Sequence, residues 1–462
     1  MPTPIEEARR LLNLTGFGPK ATDRLHLSGA DPVLPSSFAV GCSAQASLAA
    51  LGCAAAEIHL MRTGNDQQVS VDMRHAAVEF RSERYLKVDG QPLDIWDNLS
   101  GAYLCGDGKW VRLHMLLPHH RDGVLNLLDC RPDRGAIAEA LKSWTAPDVE
   151  DECARRGLVV AMMRSLDEWD RHPEGQAVAT MPPIRIERIG DAPPEPMKPG
   201  QRPLSGLRVL DLTRIIAGPV CGRALAAYGA EVLYLAGPQL PFAEPFVIDS
   251  GRGKRSAFLD LNDPTGPDQL RELSRGADVF LQSFRPGALA RRGFAPADLA
   301  AIRPGIISLG LSAYSSNGPW SERRGFDSLV QTASGINHAE AMAKGQTDPL
   351  PLPCQVLDHA SGYFLALGAL AALKRRSAEG GSWHVSVSLA ATGQWLRSLG
   401  RIENGHATTD IDAGGAEPFL YDTPSGFGRL TAVRHAAVLS ETPASWDLPS
   451  VPLGTHSAEW AT

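Results

Sequence analysis

The sequence predicts an α/β protein: a Rossmann-like parallel sheet domain in the second half, joined to a smaller α+β domain in the first. Three observations predict it. From Leu204 to Leu396, strand-length apolar runs (207–213, 231–235, 256–261, 278–283, 305–312) alternate with helical patterns (218–228, 265–275, 296–303, 326–336, 358–376). Such alternation requires right-handed crossovers and a parallel sheet covered on both faces. Second, residues 182–203 carry Pro182, Pro183, Pro193, Pro194, Pro196, Pro199 and Pro203, which read as a semi-extended linker between the halves. Third, a helix–turn–strand unit occurs twice, 316 residues apart. Under that shift Val69-Ser70-Val71 falls on Val385-Ser386-Val387, Gly52 on Gly368 and Gly64 on Gly380. Ten of 32 positions from 42 to 73 then match without a gap, which points to a duplication.

The chain in order divides at residues 1–100, a helical unit; 101–181, the small α+β domain; 182–203, the linker; 204–400, the sheet domain; and 401–462, an extended tail rich in Gly, Pro, Ser and Thr. Within 101–181, Tyr103 to Leu113 reads as a hairpin turning at Asp107-Gly108. Helices are expected near 119–129, 134–142 and 147–156. His114, His119 and His120 offer no third ligand at a recognisable metal spacing, so they are taken as surface or structural.

Composition excludes several classes. A net charge of −7 argues against general nucleic-acid binding, which rests on phosphate neutralisation. The seven cysteines include no C-x-x-C pair and suggest reduced thiols in a cytoplasmic protein. No run of about 18 uncharged apolar residues is present, so no membrane span is expected. The N-terminus lacks the apolar core of a secretory signal.

The chemical end of the second half is Pro353-Cys354-Gln355-Val356-Leu357-Asp358-His359-Ala360-Ser361-Gly362-Tyr363. Asp358 opens an apolar helical run, where an Asp is by default an N-cap. At the other end, Leu207 to Leu212 is an apolar strand followed by the turn Ala217-Gly218-Pro219 and a helix, a start that presents backbone N–H groups to an anion. It has no G-x-G-x-x-G, so a dinucleotide fingerprint is not met.

Taken together these segments resemble the class III CoA-transferases, the CaiB/BaiF family. The resemblance runs through Leu204 to Arg214, Ala217-Gly218-Pro219, Tyr228-Gly229-Ala230-Glu231-Val232, Gly253-Lys254-Arg255-Ser256, Leu259-Asp260-Leu261, Phe284-Arg285-Pro286-Gly287, Gly325-Phe326-Asp327 and Asp358-His359-Ala360-Ser361-Gly362. It is weaker over 35–180. The order differs from the usual subunit: the helical unit and small domain come first, as in a permuted and partly duplicated chain. The family's fold, a Rossmann-like domain with a smaller domain, is implied. So is a nucleophile at Asp358. The resemblance also implies a coenzyme A groove from Ile216, Ala217, Lys254, Arg255, Leu259, Asp260, Leu261, Asn262, Ser283, Phe284, Arg285, Arg291, Arg323, Arg324, Gly325 and Phe326. Ala236-Gly237 stand where the family often carries a Glu and a basic residue.

The implied activity moves CoA from an acyl-CoA donor to a carboxylic acid acceptor, through an aspartyl anhydride and an aspartyl-CoA thioester. No tightly bound cofactor or metal is expected; CoA and acyl-CoA enter as substrates. Nucleic acid and membrane are not expected partners. The reading leaves open whether a second copy, as a homodimer, completes the site. Gly380-Gly381 and Gly414-Gly415 are candidate oxyanion loops, though ordinary turns explain them as well. By the repeat, Cys42 lies on Asp358 (358 − 316 = 42), so the first unit is expected to be a structural pseudo-copy. Its thiol would be a nucleophile only if its pKa were lowered. Two other readings stand beside the transferase. One is an α-methylacyl-CoA racemase, whose proton-carrying His would sit where Phe326 sits. The other is a non-catalytic CoA-binding homologue.

Overall fold

The structure, a computed structural model, describes residues 1–461. Its centre is a seven-stranded sheet in the order Lys254–Phe258, Glu231–Ala236, Arg208–Leu212, Val279–Gln282, Ile307–Ser312, Ser382–Ser388, Arg185–Gly190. The first six strands run parallel and the last is antiparallel. The inner strands are continuous apolar runs, as strands covered on both faces must be. Val209, Leu210, Val279, Phe280, Leu281 and Leu309 are all fully buried. The strand order reverses between Arg208–Leu212 and Val279–Gln282. That is the switch point at which α/β sheets leave a crevice beyond their carboxyl ends.

Two expected boundaries differ. The Pro-rich segment is not a free linker throughout, because its proline-free run Arg185–Gly190 forms the antiparallel edge strand. Without prolines it can donate ladder bonds. The tail is not merely extended either. Leu420–Ser425 and Gly428–Val433 form a hairpin that pairs with Lys87–Val88, and Ala437–Leu439 pairs with Val69–Asp72. Further on, the indole N–H of Trp446 donates to Arg223 O at 2.9 Å and that of Trp460 to Leu273 O at 3.1 Å. These partners lie hundreds of residues away, beyond the reach of any local pattern.

The repeat is carried into three dimensions. The long helices Val40–Thr63 and Val356–Glu379 begin and end 316 residues apart, since 356 − 40 and 379 − 63 both equal 316. Each is followed by a strand and a second helix. Asp72 caps Met73–Glu79 by accepting from His75 N, and Ser388 caps Leu389–Ser398 by accepting from Ala391 N. Val69–Asp72 has a parallel neighbour, Leu25–Ser28, and an antiparallel one, Ala437–Leu439. That trio matches Ile307–Ser312, Ser382–Ser388 and Arg185–Gly190 at the edge of the main sheet. Gly52 and Gly368 explain the shared glycine. A Cβ would come within 2.9 Å of Val69 Cγ1 in one copy and 2.4 Å of Val385 Cγ1 in the other, so each helix lies directly on its own strand.

The second long helix is by length and composition apolar enough to cross a membrane, yet its apolar stretch is wholly buried within the protein. It packs against Ala217–Ala227 so closely that a Cβ at Gly362 would lie 2.6 Å from Ala217 O. This contact brings the turn after the first sheet strand to the helix that carries Asp358. The small unit forms the three-stranded sheet Gly101–Leu104, Trp110–Leu113, Val160–Met162 with helices Pro118–Leu128, Arg134–Leu141 and Ala146–Arg155.

Candidate active site

A cavity of about 650 Å³ opens at the carboxyl ends of the parallel strands. Its lining follows from the topology. Leu259, Leu261 and Asn262 come after Lys254–Phe258; Gly237, Gln239 and Leu240 after Glu231–Ala236; and Arg214 to Ala217 after Arg208–Leu212. Ser283, Phe284 and Arg285 follow Val279–Gln282, and Arg323 to Phe326 follow Ile307–Ser312. Asp358 is also in the lining. From Lys254–Phe258 to Ser382–Ser388 there are five strand spacings, about 24 Å, long enough for an extended ligand.

Asp358 is not the N-cap expected of it. The helix begins at Val356, its N-cap Gln355 makes no side-chain bond, and Asp358 is the third helical residue. The cap comes from elsewhere: the carboxylate of Asp327 accepts the Asp358 N–H at 2.9 Å, and the Leu357 N–H adds to it. Asp327 also accepts from the Gln331 side-chain amide. Asp358 is thus free to point into the cavity, where it keeps 7% exposure. Burial, then Asp327 and Glu83, push its carboxyl well above the ordinary aspartate range. The helix N-terminus favours charge there, but burial and like charges outweigh it. Burial raises Asp327 as well.

His359 faces away from Asp358, as adjacent helical residues must. Its Nε2 lies 3.1 Å from Glu83 Oε2, and its ring stacks on Phe80 with centroids 5.5 Å apart.

The expected groove residues divide. Ile216, Ala217, Leu259, Leu261, Asn262, Ser283, Phe284, Arg285, Arg323, Arg324, Gly325 and Phe326 all line the cavity. Lys254, Arg255, Asp260 and Arg291 do not. Lys254 is an internal residue: its Nζ donates to Asp211 Oδ2 at 2.7 Å and to Pro219 O at 2.9 Å, tying the first strand to the helix after it. Both members of that pair are buried. Arg255 alternates away from Lys254 along its strand. Asp260 accepts from the side chain of Gln239 at 2.8 Å and from Asn262 N at 2.8 Å, stiffening the loop below the cavity rim. Arg292, not Arg291, reaches the site and donates to Asn262 Oδ1 at 2.7 Å. One position in an exposed turn decides between them, which spacing alone cannot resolve.

Residues the sequence left outside the site also line it. Leu117, His119 and His120 from the small unit close one wall, and Arg214 another. His114 and His120 are buried, whereas His119 is an exposed group at the cavity. His114 is buried with its ring 3.9 Å from that of Phe326, and burial, with Arg112 adding, lowers it to about 4. His120 lies 3.1 Å from Arg324 Nη1 and is lowered to about 3, by burial first and then by His119 and Arg324. Both imidazoles are neutral at physiological pH. Arg323 is held by Asp151 at 2.7 Å. Arg214, Arg285, Arg292 and Arg324 have no carboxylate partner among the described residues. Unneutralised guanidinium groups around one cavity suit an anionic ligand bearing phosphates or carboxylates.

Neither glycine pair offered as an oxyanion loop lines the cavity. Gly380-Gly381 follow the far end of the helix that carries Asp358, about 33 Å along its axis. Gly414-Gly415 lie in a short helix capped by Asp412. No group of three or more metal-ligating side chains stands together among the described residues.

The fold and the site define an α/β protein with a buried carboxylate nucleophile candidate in the lining of a cationic groove. Residues 204–421 match CoA-transferase family III. Among curated relatives, the chain is 29% identical to an acyl-CoA transferase of Gibberella moniliformis, over 72% of this chain and 66% of that protein. It is 36% identical to a probable fatty acyl-CoA transferase of Mycobacterium tuberculosis, over 41% and 50%. It is 31% identical to the succinyl-CoA:glutarate CoA-transferase of Mus musculus, over 41% and 46%. A crystal structure of the Mycobacterium tuberculosis protein matches at 34% identity and a TM-score of 0.40, over 43% of this chain and 59% of that one. The chain thus spans less than two thirds of the length of the relatives it matches.

Proposed function

We propose that this protein is an acyl-CoA:carboxylate CoA-transferase with Asp358 as its nucleophile. The observation that carries the reading is the buried Asp358 carboxyl in the lining of a cavity that also bears arginines without a carboxylate partner among the described residues. Its carboxylate attacks the thioester carbonyl of the donor, forming an aspartyl–acyl anhydride and releasing CoA thiolate. The thiolate then attacks the aspartyl carbonyl, giving an aspartyl-CoA thioester and the free donor acid. The acceptor carboxylate attacks that thioester, re-forming an anhydride, and the thiolate attacks the acceptor's carbonyl. Acyl-CoA of the acceptor leaves and Asp358 is again a carboxylate.

Arg285, Arg292 and Arg324 bind the phosphates of CoA, and Leu259, Leu261 and Phe284 give the groove its apolar part. Phe326 has no proton to move, which supports transfer over α-carbon racemisation. Leu117, His119 and His120 come from the same chain, which supports a site complete in one copy. Sedimentation with activity measured at the same concentrations tests this: a fully active monomer is expected, and activity confined to a dimer refutes it.

Peptide mass spectrometry after mixing with a panel of acyl-CoAs tests the chemistry. The expected result is an adduct on the peptide containing Asp358, released by hydroxylamine and absent from Asp358→Ala. Exchange of α-hydrogen in deuterated water without an adduct identifies a racemase. CoA binding with neither result identifies a non-catalytic homologue.

A further inference from the structure

The first copy sends its continuation across to the helix that bears Asp358. There Met73–Glu79 and the turn Ser82–Arg84 meet two rungs of that helix. Tyr363 donates to Glu79 Oε1 at 2.7 Å, and His359 Nε2 lies 3.1 Å from Glu83 Oε2. Two acids four residues apart thus face two helical residues four apart. The rungs are not equivalent. Glu79 is saturated, since it also receives His435 Nδ1 at 2.8 Å and Ala436 N at 2.5 Å. Glu83 is 2% exposed, and among the described residues its Oε1 has no hydrogen-bond partner; nor does His359 Nδ1. An orphaned carboxylate oxygen in the core costs free energy that a rung serving only to brace the helix would avoid. What distinguishes Glu83 from Glu79 is its pairing with His359, the residue next to Asp358 on the helix.

We propose that Glu83, paired with His359, is a positioning residue for Asp358: it holds a negative potential at the nucleophilic carboxyl, so that acylation is favoured because it passes that carboxyl's charge to the departing CoA sulfur. The proposal rests on the transferase reading. Its electrostatic basis is repulsion between like charges in a desolvated site. The charged groups facing this cluster are few. Asp327 touches the backbone of Asp358. Asp249 lies near His359 and is itself held by Arg223 at 2.6 Å and Arg252 at 2.9 Å. Arg81, beside Glu83 in sequence, is tied to Asp410. After burial, Asp327 and then Glu83 are the charges that raise the Asp358 carboxyl.

The test is the pH dependence of acyl-adduct formation on Asp358 in the full chain, read by peptide mass spectrometry. In Glu83→Gln the acid limb is expected to move down by about one pH unit, and adduct occupancy at neutral pH to fall several-fold. Glu83→Asp keeps the charge and should restore both. Glu79→Gln, on the neighbouring rung, should lower the melting temperature and leave the limb in place. A folded Glu83→Gln protein whose limb and occupancy match wild type overturns the proposal, as does an equal shift in Glu79→Gln. Modification of Asp358 by a carbodiimide and amine across the same pH range reads the shift without any acyl-CoA. If wild type never acylates, the transferase reading falls, while the carbodiimide profile still decides the role of Glu83.

Discussion

The two long helices, Val40–Thr63 and Val356–Glu379, are the same device built twice, and only one carries the proposed nucleophile. Both N-caps, Ala39 and Gln355, have nearly identical backbone angles (φ −75°, ψ 65° and φ −81°, ψ 66°) and no side-chain bond. Both helices are capped instead by an aspartate from an earlier segment. Asp31 accepts from Gly41 N at 3.0 Å and Cys42 N at 2.6 Å, and Asp327 accepts from Asp358 N at 2.9 Å. Even the lead-ins agree, Gly29-Ala30-Asp31 against Gly325-Phe326-Asp327. At the position of Asp358 the first copy has Cys42. Burial, with Asp31 and Glu7 adding, pushes the Cys42 thiol up to about 12, so it is not a thiolate at neutral pH. The capping acid survives without the nucleophile because the helix start still needs its N–H groups satisfied. Asp327 is therefore first a structural group, and its charge at Asp358 follows from that placement.

Matched substitutions break this comparison most sharply at the nucleophile. Asp358→Ala is expected to lower turnover by roughly 10³-fold or more. Cys42→Ala should leave it within about twofold, since no chemistry is assigned to the thiol. Steady-state kinetics on both variants checks it, and a comparable loss in Cys42→Ala makes the first copy a working site.

Next come the charged residues that the sequence grouped together. Lys254→Ala strands Asp211 without its buried cation and should cost about 3–5 kcal/mol in denaturant unfolding. Arg324→Ala should cost little stability and raise KM for acyl-CoA about tenfold or more, as loss of a charge-assisted contact does. A stable Lys254→Ala with a raised KM would return that residue to the groove.

The capping pair gives a smaller, symmetric effect. Asp31→Ala and Asp327→Ala should each lose about 1–2 kcal/mol by thermal or urea unfolding. Only Asp327→Ala is expected to change turnover as well. Equal kinetic effects would show that the two caps reach the site alike.

The smallest effect is a pH slope. The Asp358 carboxyl is raised on folding, so between the ordinary aspartate value and its raised value the native state holds a proton that the unfolded state has lost. Stability then falls as pH rises through that window. Asp358→Asn removes the slope and should raise the melting temperature by a few degrees at neutral pH, with no gain below pH 3. Calorimetry against pH reads both.

The sequence by itself determined the parallel sheet, the register of the repeat and the position of Asp358, because periodicity, turn residues and a constant shift are local and additive. It also placed most of the groove, since loops after parallel strands gather at one edge. Only the tertiary structure decided which charges face the cavity: Lys254 turns inward to Asp211, and Arg292 replaces Arg291. It also decided that His119 and His120 belong to the site and that the tail closes the first copy's sheet. Those outcomes depend on desolvation and on pairing between residues tens to hundreds of positions apart. No spacing in the chain records which buried ion finds its partner.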